Sequence, residues 1–417
     1  MSQKYQIDFE RLKGDLLELS AIGQSSDGEG IDRRGFSPAD MQGRQWLINK
    51  FKALSIPARM DTAGNVIARL ESASNRDRAA VVSGSHLDTV PAGGHLDGAL
   101  GVVAVLECLR VIKERDLQTR HPLEAVAFSD EEGRFGGMFG SLAMAGLLSP
   151  KRIRESIDLD GISIMDAMQS VGLNAMDALA ARRTPESMHS FVELHIEQGP
   201  VLDSNQQQIG IVEAITGLFK WNVRLIGETN HAGTTPMHLR HDSFSGLAEF
   251  CGEINRILEE HGGEHSVATI GKVSLSPGNA NSVPGTTLFS LDVRDTSQSG
   301  LDNLADAIRR TLSAIARRRG LMFEFDILSE IKPVECSSHI VEAVESIVTR
   351  SGLPACKMPS GAAHDAQTIA SIAPVGMIMI PSIGGRSHSA AEWSHWEDIA
   401  AGTNVLLETL IQLAEET

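Results

Sequence analysis

The sequence predicts an α/β protein: a domain with a mostly parallel sheet, into which a ferredoxin-like α+β domain is inserted. Short apolar runs alternate with helical stretches in the first and last parts of the chain, which is typical of α/β layers. The middle of the chain has the order β-α-β-β-α-β, which is typical of a ferredoxin-like domain. The length of 417 residues also exceeds what one hydrophobic core usually supports.

The mostly parallel domain begins with two predicted helices, residues 7–20 and 38–54, and Ser37-Pro38 favours the start of the second. Helical spacing also covers residues 101–115 and 138–148. The strands are short runs that are apolar throughout, which indicates a parallel sheet covered on both faces. They span residues 79–83, 123–128, 191–196 and 375–380.

The inserted domain is expected over residues 214–329, and residues 1–213 and 330–417 are expected to form the first domain. Its predicted elements follow the ferredoxin-like order. They are strand 220–227, helix 243–260, strands 267–275 and 287–294, helix 301–318 and strand 322–328.

Composition excludes several classes of protein. The net charge of −17 disfavours nucleic-acid and anionic-membrane surfaces, since both would repel the chain. Four scattered cysteines without a CxxC pair indicate neither a disulfide framework nor a zinc–thiolate site. The N-terminal segment lacks the apolar core of a signal peptide, and no apolar run approaches the roughly 20 residues that span a bilayer. We therefore expect a cytoplasmic protein.

Side chains of metal-ligating type fall at or just beyond the carboxyl ends of the predicted strands, the edge where open α/β sheets bind ligands. Three imidazoles and several carboxylates suit zinc, manganese or cobalt-like divalent ions, and one carboxylate can bridge two ions. Taken singly, each residue would be interpreted as structural or solvated, so the prediction depends on the joint pattern. The residues are His86 in SGSHLDTV, Asp97 in GGHLDG, Glu131 and Glu132 in FSDEEG, His195 in VELHIEQG and His388 in GGRSHSAAE.

Two neighbours extend this prediction. Asp88, two residues after His86, is placed to hold the imidazole ring as a supporting carboxylate. Because Glu131 and Glu132 are adjacent, their side chains point in different directions. One of them can therefore bind metal while the other accepts a proton.

At these motifs the sequence resembles the dinuclear, M20-type metallopeptidase-like amidohydrolases, and more closely their hydantoinase/carbamoylase branch. That branch contains N-carbamoyl-L-amino acid hydrolases, β-ureidopropionases, allantoate amidohydrolases and ureidoglycolate amidohydrolases. The resemblance runs from about Leu12 to the C-terminal helix. Further motifs that carry it are NHAGTTPM (230–237), GNANSVPG (278–285), LDVRD (291–295), SGAAHDA (360–366) and PSIGGRSHSAAEW (381–393).

The resemblance implies two divalent metal ions per subunit, with Asp97 as the bridging ligand and Glu131 as the general base. The remaining ligands that it implies are His86, Glu132, His195 and His388.

The resemblance also implies residues that bind the substrate. His231 would reach the substrate carbonyl oxygen from the partner subunit of a homodimer assembled through the inserted domain. Asn281 and Arg294 would bind a substrate carboxylate, for which a planar guanidinium is well suited. Gln198 would contact a ureido group, and His364 would be a further site residue.

The expected activity is hydrolysis of a ureido C–N bond in a small molecule that carries a carboxylate. An N-carbamoyl-L-amino acid is the first choice, and allantoate, N-carbamoyl-β-alanine and ureidoglycolate stay open because all share these two groups. A dipeptidase or aminopeptidase with the same metals is the nearest other enzyme. Outside enzymes, the alternatives are a metal-dependent binding protein without catalysis and, least favoured, a purely structural or regulatory dimer.

Overall fold

The structure is a computed structural model that describes residues 5–25 and 29–416. Its residue contacts divide the chain into two compact units. The first comprises Met1–Glu213 and Cys336–Thr417, and the second comprises Ala214–Glu335. The last strand of the antiparallel sheet in the second unit ends at Ile331, two residues beyond the expected residue 329.

The described part of the chain contains fourteen strands, numbered here in chain order. They are β1 Ala58–Met60, β2 Val66–Leu70, β3 Ala80–His86, β4 Leu123–Phe128, β5 Met188–Ile196, β6 Ile209–Ile215, β7 Gly217–Ile226, β8 Val267–Thr269, β9 Val273–Ser276, β10 Thr286–Asp295, β11 Met322–Ile331, β12 Val334–Glu335, β13 Ala355–Ser360 and β14 Val375–Ile380.

Twelve α-helices accompany these strands within residues 5–25 and 29–416. They are α1 Phe9–Ser20, α2 Pro38–Ala53, α3 Ala99–Glu114, α4 Phe139–Ala145, α5 Pro150–Glu155, α6 Ile164–Ser170, α7 Val201–Ser204, α8 Ser243–His261, α9 Gln298–Arg319, α10 Ser338–Ser351, α11 Asp365–Ile369 and α12 Trp396–Ala414.

The main sheet has the order β1-β2-β4-β3-β5-β14-β6-β12, and β13 pairs with β6. Its four central strands, β4, β3, β5 and β14, are parallel, and antiparallel strands flank them on both sides. These central strands are the four predicted apolar runs, and every residue of β3, β4 and β14 is buried. The predicted α/β fold class is confirmed.

Local sequence signals explain where the helices of this unit begin and end. The Ser37 hydroxyl accepts a hydrogen bond from the Asp40 N–H, and Pro38 occupies the first turn, so α2 begins where the sequence predicts. Helix α4 is shorter than the predicted 138–148 because Gly146 adopts a left-handed conformation and ends it.

The second unit is an antiparallel sheet of order β11-β7-β10-β8, with β9 also paired to β10. Alternate residues of β7 and β10 pack with α8 and α9 in one hydrophobic core, which includes Trp221, Phe250 and Phe289. The predicted single strand 267–275 is wrong: it is divided into β8 and β9. Between these two strands, the three residues 270–272 lie opposite the two residues 290–291 of β10. The extra residue interrupts the pairing, as in a β-bulge.

Two further features of the described residues concern the cysteines and the apolar helices. All four cysteines are free thiols. Within residues 5–25 and 29–416, no helix is both long enough and apolar enough to cross a bilayer.

Candidate metal centre

The side chains predicted to bind metal converge at the carboxyl edge of the main sheet. His86 is the last residue of β3, and His195 is the last but one of β5. Glu131 and Glu132 lie in the loop after β4, and His388 lies in the loop after β14. Because these strands are parallel neighbours, their carboxyl ends lie side by side, and residues far apart in the sequence meet there.

Asp97 occupies the centre of this group. It lies in the loop before α3 and is almost fully buried. Its Oδ1 atom is 3.2 Å from Nε2 of His195 and 3.7 Å from Nε2 of His86. Its Oδ2 atom is 3.2 Å from Nε2 of His388. A single carboxylate therefore faces three imidazoles.

Main-chain carbonyls hold the two buried imidazoles. Nδ1 of His86 donates to the Asp88 carbonyl at 2.9 Å, and Nδ1 of His195 donates to the Ile196 carbonyl at 2.8 Å. A neutral ring that donates from Nδ1 presents its lone pair at Nε2, as metal-binding histidines do. Gly98 makes room for the ring of His86, because a Cβ there would lie 2.4 Å from it and φ is +65°.

The donor atoms form two groups that share Asp97. One consists of His86, Asp97 and His195, and the other of Asp97, Glu132 and His388; within each group the donor atoms lie within 4.8 Å of one another. Nε2 of His388 is 3.5 Å from Oε2 of Glu132. A third group, Glu193, His195 and His364, shares His195 with the first. The first two groups thus adjoin at one carboxylate, and each has donor atoms suited to a cation.

The electrostatics of this arrangement fit a cation. The lone pair at Nε2 of neutral His195 would face the Asp97 carboxylate at 3.2 Å, and the two repel unless positive charge lies between them. Burial lowers the pKa of the His195 imidazole, but the adjacent Asp97 outweighs it and raises that pKa to about 9. Positive charge, whether a proton or a metal ion, is therefore favoured at this point.

The carboxylates nearby increase the demand for positive charge. Burial, and then the charges of neighbouring carboxylates, raise the pKa of Glu131 and Glu132 well above the usual range. These neighbours include Asp88 and Asp97, and for Glu131 also Asp365. Burying these negative charges without a compensating positive charge costs free energy. The donor atoms are nitrogen and oxygen, which suit hard or borderline divalent ions.

Three further predicted residues lie in the same unit. Asp88 differs from the prediction: its carbonyl, not its carboxylate, holds His86, and its Oδ2 accepts the N–H of Glu132 at 3.0 Å. The turn that follows β3 brings the main chain, rather than the side chain, to the ring. The Gln198 amide donates to Oδ2 of Asp97 at 2.8 Å. His364 is buried, hydrogen-bonds to Ser360 and lies edge-on to the ring of His195.

His231, Asn281 and Arg294 belong to the second unit. His231 and Asn281 are exposed, and Nδ1 of His231 accepts the N–H of Gly233 at 3.1 Å. Arg294 is half-buried on β10 and pairs with Asp292 through Nε at 3.0 Å and Nη2 at 3.3 Å. The carboxylate next to Arg294 in the structure is therefore one of the same strand.

Sequence reasoning missed three acidic residues of the site. Glu193 accepts hydrogen bonds from Ser85 and from the N–H of Ala366. Asp365 is buried, and its charge acts on Glu131. Glu392 accepts hydrogen bonds from the backbone N–H groups of Asp97 and His388. All three lie within motifs that carry the family resemblance, VELHIEQG, SGAAHDA and PSIGGRSHSAAEW. Their position in these motifs was the sequence signal that could have identified them.

Known proteins are similar to this chain over nearly its whole length. Residues 82–412 match Peptidase family M20/M25/M40. The N-carbamoyl-L-amino acid amidohydrolase of Geobacillus stearothermophilus is 39% identical over 412 residues, 98% of this chain and 99% of its own. The allantoate amidohydrolase of Escherichia coli (strain K12) is 36% identical over 398 residues, 95% and 96% of the two chains. The crystal structure of a hydantoinase/carbamoylase family amidase from Burkholderia multivorans has a TM-score of 0.91 at 33% identity and covers 99% of both chains.

Removing the shared carboxylate tests the cation site directly. Adding Zn²⁺ or Mn²⁺ to chelator-treated wild-type protein is expected to raise the Tm, because an ion that binds only the folded state stabilises it by about 2.7 kcal/mol at 100 times its Kd. Asp97→Asn is expected to lose this increase in scanning calorimetry. Asp61→Asn, at a buried aspartate that bonds Asn65 outside these groups, serves as control and should keep it. An equal Tm increase in Asp97→Asn would contradict the assignment.

Proposed function

This chain belongs to peptidase family M20/M25/M40, within it to the hydantoinase/carbamoylase amidohydrolases, and from that premise we propose that it hydrolyses the ureido C–N bond of a small carboxylate-bearing molecule. It is an amidohydrolase acting on C–N bonds. The proposed first substrate is an N-carbamoyl-L-amino acid. The observation that carries the proposal is the pair of donor groups that share Asp97, with Glu131 beside them.

Two divalent ions, zinc, manganese or cobalt, are proposed to bind at these two groups. His86 and His195 would hold one ion, Glu132 and His388 the other, and Asp97 both. When bound, such ions supply Lewis-acid polarisation of the scissile carbonyl and make water acidic enough to ionise near neutral pH.

Glu131 is the proposed general base. It belongs to neither donor group, although its Oε2 lies 3.6 Å from Nε2 of His86. A carboxylate in this position can accept a proton from the attacking water and return it to the departing nitrogen. Water adds to the carbonyl carbon of an N-carbamoyl amino acid and one C–N bond breaks, which gives the amino acid and carbamate. Carbamate then decomposes to ammonia and carbon dioxide as its own C–N bond breaks, so the atoms balance.

Gln198 and His364 are proposed to bind the substrate in the first unit. Gln198 donates from its amide to Oδ2 of Asp97, so the same side chain is suited to hold a ureido group beside that carboxylate. His364 lies against His195 and is fixed through Ser360. A buried imidazole held in this way gives a substrate atom one defined hydrogen-bonding partner.

His231, Asn281 and Arg294 are the proposed contributors from the second unit. Because Nδ1 of His231 accepts the N–H of Gly233, the neutral ring carries its hydrogen at Nε2. That hydrogen suits stabilisation of an oxyanion, whose loss typically costs about 10²–10³-fold in rate. Arg294 and Asn281 would bind the substrate carboxylate, with the substrate competing with Asp292 for the guanidinium.

A homodimer assembled through the second unit is part of the proposal, with His231 supplied by the partner. Strand β9 lies on one edge of the antiparallel sheet and is exposed throughout. Val273 and Leu275 on this strand are 44% and 40% exposed. An exposed edge with apolar side chains is prone to pair with another strand, and a second copy of the chain offers the same edge.

Allantoate is the second candidate substrate, favoured by the relative from Escherichia coli. Allantoate and N-carbamoyl amino acids both present a ureido group and a carboxylate, so the same residues suit either.

A substrate panel tests the proposed function. The chelator-treated protein, restored separately with Zn²⁺, Mn²⁺ and Co²⁺, is expected to release ammonia from N-carbamoyl-L-amino acids faster than from allantoate, N-carbamoyl-β-alanine or ureidoglycolate. Unblocked dipeptides serve as the comparison, because a dipeptidase would cleave them instead. Failure on every ureido compound by a protein that has bound its metals would overturn the proposal.

Glu131 and Glu132 offer a matched pair of substitutions. Glu131→Gln is expected to keep its metal content and lose about 10²–10⁴-fold in kcat, the usual contribution of a general base. Glu132→Gln is expected to lose bound metal as well as turnover, because that carboxylate is a proposed ligand. Elemental analysis and ammonia release distinguish the two. Unchanged turnover in Glu131→Gln would refute its role.

Mixed dimers test whether His231 acts across subunits. Glu131→Gln and His231→Ala are each expected to be nearly inactive as homodimers. Coexpressed with different tags and purified as a heterodimer, they are expected to recover about half of the wild-type activity, because in a two-fold dimer one composite site is then intact. A heterodimer without activity, or a fully active monomer in sedimentation, would contradict this arrangement.

A further inference from the structure

Glu392 receives four hydrogen bonds from two separate loops. It is 1% exposed and lies in the loop between β14 and α12. Its Oε1 accepts the N–H groups of Leu96 and Asp97 at 3.0 and 2.9 Å. Its Oε2 accepts the Ser387 hydroxyl at 2.9 Å and the N–H of His388 at 3.2 Å. One carboxylate thus connects the residue Asp97 to the residue His388.

The loop of Asp97 passes directly over this carboxylate. A Cβ on Gly94 would lie 2.1 Å from Cδ of Glu392, a distance that atoms in contact do not reach. Glycine at this position therefore allows the main chain to approach closely enough for both N–H groups to reach Oε1. Hydrogen bonds to an ionised acceptor are stronger than neutral ones.

His388 has less support of its own than the other two imidazoles. Its side chain is 51% exposed, and its backbone has φ of +53°, which non-glycine residues rarely adopt. His86 and His195, by contrast, are buried residues of β3 and β5 with Nδ1 bonded to carbonyls. The hydrogen bond that the His388 N–H donates to Glu392 therefore helps to determine where this imidazole lies.

We propose that Glu392 is a positioning residue that fixes the loop of Asp97 to the loop of His388 and so sets the geometry of the Asp97–Glu132–His388 group. This inference rests on the metal-binding roles in the proposed function. Its consequence is selective: loss of the carboxylate weakens cation binding at this group more than at His86, Asp97 and His195.

The Glu392→Gln substitution keeps the size of the side chain and removes one of its two acceptor oxygens, so it tests the hydrogen bonds and not the space that the side chain fills. All four partners donate to Glu392, and a glutamine amide has only one oxygen. Whichever way it is turned, its NH₂ group faces two donors. The Ser387 hydroxyl can rotate, but the backbone N–H groups cannot, so Glu392→Gln must break bonds to one of the two loops. The edge contact between the rings of His95 and Trp393 stays, which favours a folded variant.

The experiment compares wild type, Glu392→Gln and Glu107→Gln. Glu107 is also a fully buried glutamate that accepts a backbone N–H, that of Asp8. It lies on α3, about 12 Å along the helix axis from Ala99, the residue at which the helix begins, at the helical rise of about 1.5 Å per residue. The metal-free proteins are examined by hydrogen exchange at peptides 93–98 and 386–391, and then titrated calorimetrically with Zn²⁺.

In Glu392→Gln, exchange of metal-free protein is expected to be about tenfold faster in at least one of these peptides, since hydrogen bonds to a charged acceptor are lost. Zn²⁺ affinity at the Asp97–Glu132–His388 group is expected to fall about 10–100-fold, as for other residues that orient metal ligands. Glu107→Gln should show neither change.

Three outcomes overturn the inference. Weaker Zn²⁺ binding with unchanged exchange would mean that Glu392 acts only through its charge. Unchanged Zn²⁺ binding in a folded variant would mean that the loops need no such tie. Equal changes in Glu107→Gln would show a general loss of stability. Absence of Zn²⁺ binding in the wild type would instead overturn the proposed function, and exchange alone would then decide whether Glu392 joins the loops.

Discussion

A buried carboxylate, Asp97, faces three imidazoles and has other carboxylates close to it. Buried negative charges of this density are tolerated only when positive charge compensates them. When His86 and His195 are neutral, the carbonyls of Asp88 and Ile196 hold the ring hydrogens at Nδ1, so the lone pairs at Nε2 face Asp97. The distance of each surrounding side chain from the Asp97 carboxylate therefore determines how much that side chain contributes to the charge balance of the site.

The fold supplies the rigidity that such a site requires. Two fully buried arginines bond the main chain near the ends of the strands that carry the site. Arg33 donates to the Leu87 carbonyl at 2.6 Å, directly after β3. Arg44 pairs with Asp40 and donates to the Phe128 carbonyl at 3.0 Å, the last residue of β4. Loops that begin from fixed strand ends can hold functional groups to within fractions of an ångström.

The proposed catalytic residues and most of the proposed substrate-binding residues lie in different units of this protein. The donor groups, Glu131 and Gln198 lie on one unit, within a core of parallel strands and buried helices. Arg294 lies on β10 of an antiparallel sheet with its own hydrophobic core, and His231 lies in the loop after β7 of the same unit. The chains similar to this one include both N-carbamoyl-L-amino acid and allantoate amidohydrolases.

The sequence by itself determined the fold class, because buried parallel strands leave continuous apolar runs and because a β-α-β-β-α-β order is local information. It also determined which residue types gather at the sheet edge, since the end of a strand can be located from its own residues. It predicted less well where the chain is irregular: the bulge that divides β8 from β9 depends on pairing with β10. Only the tertiary structure decided how the donors are grouped around Asp97, that the Asp88 carbonyl holds His86, and that Glu392 joins two loops. These contacts depend on distances of a few tenths of an ångström between groups up to 296 residues apart, and no local pattern in the sequence records them.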